Sequence, residues 1–215
     1  MGPHRIMWYM ARYHGIKKSD ATIYRILKRH GLNCLPRQAS KRTVHTKRYS
    51  KQVPGHHIQM DVKFLIFKGE RGQKIKRYQY TAIDDATRVR VLKVYKRHTQ
   101  ASAIDFVNHV IQKLPFRIQQ IRTDRGHEFQ AQFHWHVEDL GIQHVYIKAR
   151  SPQLNGKVER SHRSDQEEFY QLLTYKDDVD LEDKLAEWER FYNLSRPHTA
   201  HKGKTPYEIL KEKLL

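Results

Sequence analysis

Between Ile58 and Phe67 an apolar side chain stands at every second position: Ile58, Met60, Val62, Phe64 and Ile66 alternate with Gln59, Asp61 and Lys63. Strand side chains point to opposite faces in turn, so this segment reads as a strand with one apolar face and Asp61 directed away from it. Residues 77–84 and 88–95 repeat the strand pattern, joined through Asp85-Ala86-Thr87, where Asp suits a tight turn. Helical spacing follows: Ala103, Ile104, Phe106, Val107, Val110, Ile111 and Leu114 form one side of a helix over about 100–114. Strand, helix and strand then succeed one another over 117–123, 128–140 and 142–148, the helix closed by Gly141. Three antiparallel strands leading into alternating helices and strands predict an α/β fold, a mixed five-stranded sheet flanked by helices.

Hydrophobic residues make up 38% of the 215-residue chain, enough for one sizeable core and a small appendage. No apolar run approaches the roughly 18 residues of a membrane span, and Met1-Gly2-Pro3-His4-Arg5 lacks the apolar stretch of a signal peptide. Cys34 is the single cysteine, which excludes an internal disulfide and a thiolate zinc site built from this chain. A reducing cytoplasm is the expected setting.

A net charge of +18 with a pI near 10 calls for a polyanionic partner, nucleic acid ahead of a membrane surface. Residues 1–51 hold 13 Lys and Arg against one acid, Asp20, so 12 of the 18 net positive charges lie ahead of a compositional boundary near Val53-Pro54-Gly55. Inside that part Ile6, Met7, Met10 and Ala11 recur at helical spacing before Gly15. A second helix is expected from an N-cap at Ser19, with Ile23, Ile26 and Leu27 as its buried stripe and Gly31 past its end. Two helices joined by a short turn have helix-turn-helix proportions. The second would present Thr22, Tyr24, Arg25, Lys28 and Arg29 to a major groove, with Lys17 and Lys18 near phosphates. A helical hairpin with a solvated basic face fits the periodicity equally well; the charge density favours DNA. The expected organisation is therefore a helix-turn-helix segment over 1–33, a basic linker over 34–54, a catalytic core over 55–176 and a C-terminal helical extension over 177–215. Trp188, Phe191 and Tyr192 are read as packing residues of a late helix over about 180–193.

Three acids stand out from this framework. Asp61 lies in the first strand, Asp124 ends a short strand in Ile121-Arg122-Thr123-Asp124, and Glu159 lies one turn into a helix starting near Gly156, with 34 residues between the last two. Carboxylates converging from three elements make an oxygen cage suited to magnesium or manganese. The last helix, expected over 156–173, has a thin apolar stripe interrupted by Ser161, His162 and Asp165, so its first half is expected to be unburied. Taken alone, Glu159 with His162 and Arg163 reads as a surface ion pair. Asp84-Asp85 reads as turn chemistry. His56-His57 and His134-Trp135-His136 lack cysteine partners or HExxH spacing, so zinc is not expected. No arginine cluster surrounds one tyrosine, which counts against a tyrosine recombinase.

With these residues in place, the chain resembles the bacterial insertion-sequence transposases that share a catalytic core with retroviral integrases. The resemblance rests on Asp61, Asp124 and Glu159 at the family's spacing, on Pro54-Gly55-His56, Gln59 to Lys63, Tyr80 to Asp85, Glu128-Phe129 and Ser151 to Arg160, and on Trp188, Tyr192-Asn193, Arg196-Pro197-His198 and Thr205-Pro206. It implies a ribonuclease-H-like core and a DDE transposase or integrase cutting and joining DNA at element ends with two Mg2+ or Mn2+ ions. On that analogy Asp61 bridges both ions while Asp124 and Glu159 anchor one each. Water is then the first nucleophile and the freed 3′-hydroxyl the second. Lys63, Arg125, Lys157, His162 and Arg163 are expected beside the DNA, and the protein is expected to assemble as a homo-oligomer on double-stranded element ends and target, associated with a bacterial nucleoid. Arg125 departs from the family, where many relatives carry Asn; a cation there either contacts phosphate or opposes metal binding. A nuclease that does not join, and a DNA-binding protein without activity, are the competing readings.

Overall fold

The computed structural model describes residues 2–33, 52–69, 72–147 and 155–215. The chain runs α1 (Pro3–His14), α2 (Asp20–Arg29), β1 (Ile58–Lys68), β2 (Lys74–Asp84), β3 (Arg90–Tyr95), α3 (Gln100–Lys113), β4 (Gln120–Thr123), α4 (Gln132–Asp139), β5 (Gln143–Tyr146), α5 (Gly156–Asp165), α6 (Asp178–Leu194) and α7 (Pro206–Leu214). The five strands form one sheet in the order β3-β2-β1-β4-β5. β1 pairs antiparallel with β2, and β2 with β3, while β1–β4 and β4–β5 are parallel. This is the mixed, helix-flanked sheet that the alternation predicts.

The alternation of β1 sorts its side chains between two cores. Ile58 and Met60 pack with Tyr80, Ala82, Phe106, Val110, Phe133 and Val137 on the face covered by α3 and α4. Leu65, of the opposite parity, packs with Leu92, Val94, Leu185 and Trp188 beneath α6. Asp61 shares the parity of Leu65 and so faces the α5 and α6 side. Phe64 and Ile66 depart from the expected buried face, being 62% and 64% exposed. The parallel pairing of β1 to β4 involves only Ile58 and Gln59, so the second half of β1 runs past its neighbour on that side.

Local chemistry sets the helix ends. Ser19 Oγ accepts the N–H of Thr22, Thr99 Oγ1 that of Ser102, and Thr205 with Glu208 forms a reciprocal capping box. Gly15 takes the left-handed conformation at φ 65° after α1. The segment expected as one helix over 128–140 divides into a 3₁₀ turn, His127–Phe129, and α4. The one expected over 156–173 ends as α5 at Asp165 and continues as a single π-helical turn, Gln166–Tyr170. In α2, Ile23 is buried but Ile26 is 47% exposed, because α2 meets the rest of the fold along a narrow line through α1. The expected linker up to residue 51, and Ser151 to Leu154 of the family-like segment, lie outside the described residues.

α1 is fastened to the C-terminal segment. Arg5 donates to Glu168 at 2.9 Å, Tyr13 Oη donates to the carbonyl of Ser195 at 3.0 Å, and Arg12 pairs with Glu208. Trp8 lies over Gly203, where an added Cβ would fall 2.6 Å from the indole.

Candidate active site

Strand pairing places the first two acids on neighbouring strands. Ile58 pairs with Ile121 and Gln59 with Arg122, so the paired stretch ends two residues before Asp61 and two before Asp124. Asp124 leaves the end of β4 with Oδ1 accepting the N–H of Gly126 at 2.9 Å. The third acid arrives on α5, whose start is held by β1. Gln59 Oε1 accepts from the N–H groups of Lys157 at 3.2 Å and Val158 at 3.3 Å, satisfying two of the free donors at a helix start. Gln59 Nε2 donates in turn to Asp85 Oδ1 at 3.1 Å, and Lys157 Nζ meets the same oxygen at 2.5 Å. One side chain, two residues from Asp61, thus ties the helix of Glu159 to the strand of Asp61.

Asp61 feels the field of both other acids. Burial pushes the Asp61 carboxyl up to about 7, and the charges of Asp124, Glu159 and Glu128 add to the rise against an opposing hydrogen bond from the Val62 N–H. Asp124 and Glu159 themselves are exposed. Asp61 Oδ2 faces His162 Nδ1 at 3.5 Å, and His162 Nε2 lies 3.0 Å from Thr81 Oγ1. Burial lowers the His162 pKa to about 4, so the ring is neutral near pH 7. An ionised Asp61 can only accept, which favours the tautomer with the imidazole N–H on Nδ1; Thr81, whose Oγ1 accepts from Gln79 Nε2 at 2.9 Å, keeps its O–H free to donate to Nε2.

A buried polar cluster anchors the other end of α5. Arg90, the largest wholly buried side chain among the described residues, donates through Nη1 to Asp165 at 2.6 Å and to Ser161 at 2.7 Å. Trp188 Nε1 and Gln79 Nε2 also donate to the Asp165 carboxylate, and the Arg90 guanidinium lies 3.5 Å from the centre of the Tyr192 ring. Ser161 and Asp165 are therefore buried, contrary to the expectation for the first half of this helix. The face is polar: the Ser161 hydroxyl and the Asp165 carboxylate are partnered from β2, β3 and α6, while Arg90 Nε and Nη2 have no hydrogen-bond partner among the described residues. Breaking such a pair typically costs about 3–5 kcal/mol.

The expected DNA contacts divide by location. Lys17, Lys18, Tyr24, Arg25, Lys28 and Arg29 stand exposed on and before α2, with Thr22 half-buried beside Ser19. Arg125 and Arg163 are exposed near the acids, and Lys63 is partly buried on the strand of Asp61. Lys157 and His162 turn into the fold, and burial lowers the Lys157 pKa to about 8. Asp84 is turn chemistry, as expected: it accepts from the N–H and Oγ1 of Thr87 and from the N–H of Gly55. Gln59, Asp85 and Arg90 were not legible as site residues, since nothing in their spacing marks a partner 26 to 99 residues away.

Two family models described as integrase core domain match residues 51–152 and 140–206. The chain belongs to the integrase core domain family. A putative integrase of Spiroplasma virus SpV1-C74 is 32% identical over 174 residues, covering 71% of this chain and 47% of that protein. An uncharacterised 39.2 kDa protein of insertion element IS476 from Xanthomonas euvesicatoria is 28% identical over 184 residues, covering 83% of this chain and 51% of its own length. The chain spans about half the length of the curated relatives it matches. Among solved structures, the HTLV-2 integrase catalytic core domain in complex with magnesium superposes with a TM-score of 0.59 at 22% identity, over 73% of this chain and 97% of that one. The simian T-cell lymphotropic virus intasome gives 0.59 at 20% identity, over 96% of this chain and 73% of that one. These likenesses show the ribonuclease-H-like integrase core fold. Among the described residues no helix is long and apolar enough to cross a membrane.

Proposed function

We propose that this integrase-core protein is a DDE-type polynucleotidyl transferase that cleaves DNA at the ends of a mobile element and joins the freed 3′-hydroxyl to a target phosphodiester. The observation that supports the reading is that Asp124, after the parallel neighbour of β1, and Glu159, on α5, both act electrostatically on the half-buried Asp61. Crowded carboxylates of this kind fit hard divalent cations, and the three would hold Mg2+ or Mn2+, two ions in all. When bound, such ions would supply activation of an attacking oxygen and offset the charge that builds on the phosphate during in-line transfer.

The chain's own residues supply position. His162 directs its N–H at Asp61, and Gln59 keeps Glu159 facing the strand of Asp61. Water attacks first and leaves a 3′-hydroxyl; that hydroxyl then attacks the target strand. Arg125, Arg163 and Lys63 would contact the DNA backbone, and the exposed basic face of α2 would serve recognition of the ends. The integrases with related folds include a dimeric form and an intasome, which supports an oligomer on paired DNA ends. The IS476 relative supports a bacterial, nucleoid-associated setting.

Incubating labelled duplexes of a candidate element terminus with Mn2+ or Mg2+ tests this directly, with cut and joined products scored separately. Asp61→Asn, Asp124→Asn and Glu159→Gln should each abolish both products while leaving DNA affinity largely intact. An Asp61→Asn protein that nicks at the wild-type rate refutes the assignment, and cutting without joining reduces it to a nuclease.

A further inference from the structure

We propose that His98, His127 and Glu128 form a separate metal site that takes one Zn2+ ion. His98 lies in the turn between β3 and α3, and His127 and Glu128 lie in the 3₁₀ turn after β4. One ligand atom from each lies within 4.8 Å of the other two. His98 Nε2 is 2.8 Å from Glu128 Oε1, and His127 Nδ1 is 3.5 Å from Oε2.

Hydrogen bonding assigns the lone pairs. His127 Nε2 lies 3.0 Å from the carbonyl oxygen of His98, which can only accept, so the ring proton sits on Nε2 and the Nδ1 lone pair faces Glu128. Glu128 is 4% exposed, and among the described residues its Oε2 has no hydrogen-bond partner, while the His98 Nε2 that lies 2.8 Å from Oε1 is not aligned for a hydrogen bond. A buried carboxylate oxygen without a donor is unfavourable unless a cation lies beside it. Tetrahedral zinc with bonds of about 2.0–2.1 Å sets its ligands roughly 3.3 Å apart, a spacing that small side-chain shifts reach from ligand atoms already within 4.8 Å of one another. Two imidazoles and one carboxylate favour zinc over magnesium, and an imidazole N–H given to a backbone carbonyl is the usual outer support of such a ligand. The His98 ring is already fixed, stacked on Tyr78 at 5.1 Å and edge-on to Phe64 at 5.0 Å. Sequence spacing conceals the set, because its members come from two loops 29 residues apart. An ion there would pin the loop that carries Asp124 to the start of α3.

The test uses the full chain with Asp61→Asn, Asp124→Asn and Glu159→Gln, so that neither the candidate catalytic acids nor nuclease activity enters the readout. After chelator treatment, this protein should bind one equivalent of Zn2+ by calorimetry and give a visible Co2+ spectrum of low coordination number. Adding His127→Ala should weaken Zn2+ binding at least tenfold and remove the Co2+ band with the circular dichroism unchanged, since the His127 side chain is 68% exposed and supports no core. His98→Ala should do the same. Absence of Zn2+ binding, or binding indifferent to His127→Ala, overturns the site.

Discussion

Asp61 has its titration set by its surroundings rather than by its own chemistry. Burial, with the charges of Asp124, Glu159 and Glu128, raises its carboxyl from 3.8 in the unfolded chain to about 7. The folded state therefore binds the proton more tightly, and the associated stability is full below about pH 4 and lost as the pH rises through about 7. The difference is on the order of 4 kcal/mol as an upper bound. Replacing the ionised acid by its neutral isostere removes the penalty. Without divalent ions, Asp61→Asn should melt several degrees higher than the wild type at pH 8 and close to it at pH 4. Saturating Mg2+ at pH 8 should raise the wild-type midpoint and leave that of the variant unmoved. Coincident melting curves for the two proteins from pH 4 to 8 would show that the three acids do not share a field. Type and spacing were enough to single these acids out as a candidate set. The titration of Asp61 was not, because it depends on how deeply the strand lies in the fold.

At the scale of elements, α5 decides whether a third acid reaches the other two, and its hold on the sheet is polar. Gln59 caps its start and Arg90 binds its end through Asp165. Gln59→Leu leaves two helix N–H groups and Asp85 without that amide, at a cost of about 1–3 kcal/mol, and frees Glu159 to shift. Because a misplacement of about 1 Å can cost a hundredfold in rate, strand cleavage should fall by ten- to a hundredfold with DNA affinity unchanged. Equal cleavage rates in Gln59→Leu and wild type would make the cap incidental. The periodicity of β1 to β3 and of α3 was legible because each element buries one apolar face. The burial of α5 was not, because a buried polar face carries the same residue types as a solvated one. Ser161 and Asp165 look like surface until Arg90, 71 and 75 residues away, is placed beside them.

Across the whole molecule, charge and attachment point different ways in the first 33 residues. α1 spends its contacts on the C-terminal segment: Trp8 on Gly203, Arg12 on Glu208, Tyr13 on the Ser195 carbonyl and Arg5 on Glu168. α2 touches little beyond α1 and leaves Arg25, Lys28 and Arg29 in solvent. The helical pair is thus fixed to the catalytic core on one side and bare on its basic side, as a reader of DNA held at a set distance from the acids would be. The binding free energy of such a face comes largely from counterions released by each phosphate contact, which contributes about 0.9 to the slope of log affinity against log salt. Arg25→Ala should therefore weaken binding to duplex DNA at 50 mM salt and lower that slope by about one. A sequence-specific contact would add a second signature, a larger loss on the cognate terminus than on random duplex, whereas a pure phosphate contact would weaken both alike. An unchanged slope would take Arg25 out of the interface and leave α2 as a solvated hairpin, with recognition of the ends resting on the basic residues beside Asp61, Asp124 and Glu159.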